Sequence, residues 1–316
     1  AFSFARSMAA ARKLFGRRRP DAVLAMGGFT SAPPILAAKR YGARTFLHES
    51  NTIPGRANRY LARFVQEAFV GFPEAAARLK CGKTLVTGTP VRPGFCPAPG
   101  GRPSSAIALG LDPERPVVLV VGGSQGASGL NQMISAALPQ LAEKNWQWLH
   151  LTGPADCDRV RSAYARLNLK AVVKPFLAEM DLALGAATAA VSRAGASSLA
   201  ELAAVRLPSL LVPFPAAADN HQFFNASAFA QSGAARLLEQ KEATPEKTAA
   251  ILGELMENAT VRAGMQSALA QWHAPRAAER IALRIVEAMT ERRKVMETRR
   301  GSCGCGCSHG HARAAI

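Results

Sequence analysis

A chain of 316 residues with 48% hydrophobic content is long enough to bury two cores, and it has no run of about eighteen uncharged apolar residues that would argue for a membrane-spanning helix. Lys and Arg number 39 against 22 Asp and Glu, a net charge of +17 that calls for a polyanionic partner or serves solubility alone. Nucleic acid is the disfavoured partner, because no nucleic-acid-binding motif is present and aromatic residues are only 6% of the chain; an anionic bilayer attracts the same charges.

From Ala1 to Arg19, Phe2, Phe4, Met8, Leu14 and Phe15 are interspersed with Arg6, Arg12, Lys13, Arg17, Arg18 and Arg19, with no acidic residue. Such a helix can lie among lipid headgroups or pack its apolar side on the first sheet. Its composition also imitates an organelle transit peptide, a reading weakened by its direct run into a strand at Arg19-Pro20-Asp21. Strands are expected at Ala22–Met26, Thr45–His48, Ala68–Gly71 and Thr84–Thr87. A Pro- and Gly-rich stretch from Pro93 to Pro116 reads as a linker. Beyond it, strands are expected at Val117–Val121, Trp148–Leu151, Ala171–Val173, Ala189–Ser192, Ser209–Val212 and Ala235–Leu238, and a long helix near Arg276–Arg292. Strands alternating with helices argue for an α/β class. Cys81, Cys96 and Cys157 show no paired spacing, which suits a reducing cytoplasm. The tail from Arg299 carries Cys303, Cys305, Cys307, His309 and His311; these are zinc- or copper-type ligands, but the tight C-x-C spacing and the glycines favour a disordered tail without metal.

Two glycine turns follow apolar strands and lead into helices. In Gly122-Gly123-Ser124-Gln125-Gly126 the turn opens a βα unit of nucleotide-binding type, although neither G-x-G-x-x-G nor the Walker sequence is present, which disfavours a dehydrogenase or a kinase. The same turn would also serve tight strand-to-helix packing. In Val191-Ser192-Arg193-Ala194-Gly195-Ala196-Ser197-Ser198-Leu199-Ala200-Glu201, small residues and free helical N–H groups suit a diphosphate, and Glu201, one turn on, suits a ribose. A plain N-cap and a dipole-complementing Glu are the bland alternatives.

Together with Met26-Gly27-Gly28-Phe29-Thr30-Ser31-Ala32-Pro33, His48-Glu49-Ser50-Asn51, Gly88-Thr89-Pro90-Val91-Arg92 and Asp219-Asn220-His221-Gln222, these turns resemble the MurG family of peptidoglycan glycosyltransferases, in unbroken order from about Pro20 to Asn225. The resemblance implies a GT-B architecture, two Rossmann-like domains facing a cleft. It implies transfer of N-acetylglucosamine from UDP-N-acetylglucosamine to the 4-hydroxyl of undecaprenyl-diphosphate-linked N-acetylmuramyl-pentapeptide, with inversion, by a protein peripheral to the cytoplasmic face of the bacterial inner membrane. On it, residues 1–95 are a partial acceptor- and membrane-facing domain, 96–115 a linker, 116–275 the donor domain, 276–298 a helix crossing back, and 299–316 the tail. The family's opening glycine-rich loop with a His is missing, so the first domain is expected to be incomplete, and a nucleotide-sugar-binding module without catalysis is the alternative.

By the same resemblance, Ser124 and the helix start from Ala196 through Ser197, Ser198, Leu199 and Ala200 hold the diphosphate. Leu177 borders the uracil, Glu201 holds the ribose, Arg92 contributes on the nucleotide side, Gln222 with His221 reaches the sugar hydroxyls, and Asn51 faces the cleft. His48 and Glu49 are the catalytic candidates in the first domain, His48 more as a support. Ser50 stands where the family has Gln in its His-Glu-x-Asn turn. No D-x-D pattern occurs in the cleft segments, and a donor site without metal or cofactor is expected. The hydrophobic patch ringed by basic residues that the family directs at the membrane would here be Phe2, Phe4, Arg6, Arg12, Lys13, Arg17, Arg18 and Arg19.

Overall fold

The computed structural model describes residues 2–95, 101–123 and 126–302, with side chains described between residues 3 and 291 of those spans. The first half runs α1 (Phe2–Arg17), β1 (Ala22–Ala25), α2 (Ala32–Arg40), β2 (Arg44–Glu49), α3 (Arg56–Leu61), β3 (Glu67–Val70), α4 (Pro73–Arg78) and β4 (Thr84–Val86). Then come α5 (Gly101–Ala108), β5 (Val117–Val121), α6 (Ser128–Leu141), β6 (Gln147–Leu151), α7 (Cys157–Arg166), β7 (Ala171–Lys174), α8 (Met180–Ala186), β8 (Ala189–Ser192), α9 (Ala196–Val205) and β9 (Ser209–Leu211). The chain ends on α10 (His221–Gln231), β10 (Arg236–Leu237), α11 (Pro245–Glu257), α12 (Ala259–Trp272) and α13 (Ala277–Ser302).

Two parallel sheets result, ordered β1-β2-β3-β4 and β10-β9-β8-β5-β6-β7. In the second, the order reverses between β5 and β8, and ligands of open α/β sheets bind at the carboxyl ends of strands at such a switch point. β5 (VVLVV) is buried at its first four positions because helices cover both faces of a parallel sheet, and its register with β8 pairs Val121 with Ser192.

In the first sheet, alternate residues serve different layers. Leu47, Ala68 and Val70 join Ile35 and Leu61 in one core, while Phe46 and Phe69, whose ring centroids are 5.9 Å apart, face the other way. That second face is covered by α13 through Ile281 and Ala288. Arg284 of the same helix bonds the buried Glu67 carboxylate twice, at 2.8 Å and 2.5 Å. Burial alone would raise the Glu67 pKa, but its bonds to Arg284 and Lys83 outweigh that and hold it below the ordinary carboxylate range.

The structure departs from the sequence reading at two places. The span read as linker contains α5, because Ala106, Leu109 and Leu111 have a core to join, that of the second half, against α8. The tail expected to lack structure from residue 299 is helical through Ser302, since the stretch from Glu291 to Arg300 contains no Gly or Pro. Cys303, Cys305, Cys307, His309 and His311 lie outside the described residues.

Candidate functional site

Both glycine turns emerge at the switch point. After β5, Gly126 has φ +77°, and a Cβ there would collide with the Thr152 carbonyl and the Gly153 Cα, so the turn requires glycine. Ser124 lies outside the described residues. After β8, Arg193, Ala194 and Gly195 lead into α9. Gly195 occupies the cap position with no side-chain cap bond, which leaves the amides of the first turn open to a ligand. Ser197 is exposed and Ser198 half-buried, while Ala196 and Leu199 turn their side chains into the core and contribute backbone only.

Arg193 is buried beside this start. Its Nη atoms bond the carbonyls of Val212 and Pro213, each at 3.1 Å, and Oε1 of Gln240 at 2.7 Å. Its Nε has no partner, and among the described residues no carboxylate pairs with it. Burial lowers its pKa for that reason. A buried guanidinium without a counter-ion fits an incoming anion, and Arg193 lines a cavity of about 510 Å³ together with Gly122, Gly126, Ser128, Phe214 and Gln222.

Gln222 has its orientation set by two backbone donors, Oε1 accepting from Phe214 N–H at 2.9 Å and from Ala194 N–H at 3.3 Å, and it lines the same cavity. His221 donates Nδ1–H to the Ala218 carbonyl at 2.8 Å. Glu201 is half-buried; burial raises its pKa and the nearby Arg92 charge opposes the rise. Arg92 itself is exposed, with its guanidinium 4.8 Å from the Phe95 ring centroid. Leu177 packs into the core, and its neighbour Phe176 is 60% exposed, an open apolar face beside it.

In the first half, the two catalytic candidates are committed to protein bonds. His48 is fully buried, with Nε2 3.0 Å from the Gly88 carbonyl and Nδ1 3.2 Å from Ser50 Oγ, and burial lowers its pKa. Glu49 accepts from Asn51 N, Asn51 Nδ2, Gly55 N and Asn58 Nδ2 at 2.9 to 3.2 Å. Four donors on one buried carboxylate make it the organiser of the turn, not a free base. These residues back a cavity of about 760 Å³ whose rim carries Phe29 and Tyr60.

Asn51 faces the second half, where Asn225 of α10 donates to its Oδ1 at 3.0 Å. Arg59 and Asp219 form a second link across the cleft at 2.6 Å. Neither Arg193 nor Asn225 stands out by motif alone. The signals for them are an arginine ending an apolar strand without an acidic neighbour, and an asparagine three positions after Gln222 on the same helical face.

On α1, Arg6, Arg12, Lys13 and Arg17 are exposed, as are Arg18 and Arg19 just after it, and Leu14 is 61% exposed. The helix packs on α2, burying Ala11, with Tyr41 Oη donating to the Arg12 carbonyl at 3.2 Å. Phe4 is half-buried 6.0 Å from the Phe29 ring, so part of the apolar stripe is used internally; the Phe2 side chain lies outside the described residues. Among the described residues no group of three His, Cys, Asp or Glu side chains is placed to hold a metal ion, and no helix is long and apolar enough to cross a membrane.

Two family models match the chain: the glycosyltransferase family 28 N-terminal domain over residues 1–70 and the glycosyltransferase family 28 C-terminal domain over residues 117–281. A UDP-N-acetylglucosamine–N-acetylmuramyl-(pentapeptide) pyrophosphoryl-undecaprenol N-acetylglucosamine transferase from Mesorhizobium japonicum is 36% identical over 94% of this chain and 79% of its own length. The protein of the same name from Parasynechococcus marenigrum is 44% identical over 75% of this chain, which spans 63% of that relative. Among solved structures, Acinetobacter baumannii MurG superposes with a TM-score of 0.73 at 28% identity, covering 90% of this chain and 80% of that one.

Proposed function

Since the chain belongs to the MurG group of glycosyltransferase family 28, we propose that its switch-point cavity binds UDP-N-acetylglucosamine and that the protein transfers the sugar to the 4-hydroxyl of an undecaprenyl-diphosphate-linked muramyl pentapeptide. The observation that carries this reading is the uncapped start of α9 opening beside the buried Arg193, which has no carboxylate partner among the described residues. In the transfer, the acceptor oxygen attacks C1 of N-acetylglucosamine from the face opposite the diphosphate, the bond from C1 to the β-phosphate oxygen breaks, UDP leaves, and the acceptor hydroxyl proton is released to solvent. Negative charge grows on the leaving diphosphate. The amides of Ala196, Ser197 and Ser198, the serine hydroxyls and Arg193 are preorganised donors for it, and such donors accelerate most where charge develops. Glu201 takes the ribose hydroxyls, Phe176 and Leu177 border the uracil, Arg92 lies on the nucleotide side, and Gln222 Nε2 meets the sugar hydroxyls with His221 beside it. His48 and Glu49 hold the first-half turn rather than take the acceptor proton.

Calorimetry with UDP and uridine tests the donor site. UDP is expected to bind far more tightly than uridine, and Glu201→Ala to weaken UDP binding by about 1–3 kcal/mol, the range for losing a charged hydrogen-bond partner. Equal affinities for UDP and uridine, or an unchanged affinity in the folded variant, would contradict the assignment.

The proposal extends to a peripheral position on the cytoplasmic face of the bacterial inner membrane, supported by the exposed basic face of α1 and the +17 charge. The protein should sediment with vesicles containing anionic lipid and be released as salt shortens the Debye length from about 10 Å at 0.1 M to about 3 Å at 1 M. Reversing Arg17, Arg18 and Arg19 to Glu should abolish the preference and leave UDP binding intact. Equal sedimentation with neutral vesicles counts against the membrane contact.

A further inference from the structure

We propose that Asn225 is a positioning residue that makes the presentation of the α9 amides depend on how the first half is seated; this rests on the donor-site reading above. Ala194 immediately precedes the cap residue of α9, so its peptide planes set the direction of the helix start. α10 grips both of its backbone groups: Gln222 Oε1 accepts from Ala194 N–H at 3.3 Å, and Asn225 Nδ2 donates to the Ala194 carbonyl at 3.1 Å.

The rest of the Asn225 amide is turned to the first half. Its Oδ1 accepts from Thr52 N–H at 2.9 Å and from Thr52 Oγ1 at 2.7 Å, and its Nδ2 also donates to Asn51 Oδ1 at 3.0 Å. Two donors and two lone pairs are thus all engaged, in a side chain that is fully buried. A brace local to the donor loop would not need Thr52, and a bolt between halves would not need Ala194. One planar group serving both converts a displacement of the Asn51–Thr52 turn into a displacement of Ala194, and the Glu49 bonds to Asn51 keep that turn from yielding.

The test uses Thr52→Val, which removes one hydroxyl in the first half, away from the donor loop, and Asn225→Asp, which keeps the acceptor for Thr52 and replaces the donor. Thr52→Val is expected to weaken UDP binding about fivefold, and Asn225→Asp at least about tenfold at pH 7.5. Acidification should restore part of the Asn225→Asp affinity relative to wild type, because a protonated carboxyl donates one bond again. Amide hydrogen exchange over residues 194–198, read without ligand, should quicken in both variants. Unchanged exchange in folded Thr52→Val overturns the role of Asn225 whatever UDP does, as do affinities within twofold of wild type. Wild-type protein that does not bind UDP overturns the donor-site reading instead, and the exchange measurement still decides on Asn225.

Discussion

Replacing Arg284 with Ala is expected to destabilise the protein by about 3–5 kcal/mol, the range for removing one partner of a buried ion pair. The Glu67 side chain is only 7% exposed and that of Arg284 only 16%. After the substitution the carboxylate keeps a single bond, to Lys83 at 3.3 Å, and loses the two that oppose its burial. The same arginine also bonds Glu287 and Glu291 on α13, so the substitution removes their partner as well. Chemical denaturation gives the loss directly. The double variant Glu67→Gln, Arg284→Met should recover most of it, since uncharged groups of similar volume remove the desolvation penalty along with the attraction. A loss under about 1 kcal/mol for Arg284→Ala would show that α13 is held by its apolar contacts alone.

The second large effect is expected on acidification. His150 is fully buried between Tyr164 Oη, 3.1 Å from Nδ1, and Asn131 Oδ1, 3.0 Å from Nε2. Burial lowers its pKa from the ordinary 6.5 to about 3, with the Asp156 charge opposing the drop. Below pH 6.5 the unfolded chain binds a proton at this histidine that the folded protein refuses, so stability falls with pH and the loss is complete only below about pH 3. Through this group alone the slope is about 1.4 kcal/mol per pH unit, or about 3 kcal/mol between pH 6.5 and 4. His48, with a pKa lowered by burial, adds to the loss in the same direction. His150→Gln should be less stable than wild type at pH 7, and the gap should narrow by about 3 kcal/mol at pH 4. Parallel stability curves for the two proteins would show that His150 does not set the acid limit.

The strands were legible for a physical reason. A parallel strand covered on both faces reads as an unbroken apolar run, as Val117–Val121 and Ala189–Val191 do, and all ten expected strands form within a few residues of their expected ends. The glycine turns were legible because Gly126 has neither the φ nor the space for a side chain. What stayed hidden depends on partners remote in sequence. Glu49 looks like any acid at a strand end until four donors converge on it, and Arg193 looks like a surface arginine until its strand is buried without a carboxylate nearby. α5 was hidden because Pro and Gly flank a short run whose apolar residues gain meaning only from the core they join.

The crossing of α13 also bears on the order in which the chain matures. Arg284 meets Glu67 across 217 positions of sequence, and Phe46 and Phe69 are capped by Ile281 and Ala288 of the same helix. At ribosomal rates of about 5–20 residues per second, some 10–40 s separate the synthesis of that aromatic face from the synthesis of its cover. For that interval the first sheet carries an unshielded apolar surface, whereas the core of the second half is fully synthesised once Leu269 is made, before Ile281. The half made first is therefore the half completed last, and the interval before α13 emerges is when the nascent chain is most open to aggregation and most in need of a chaperone.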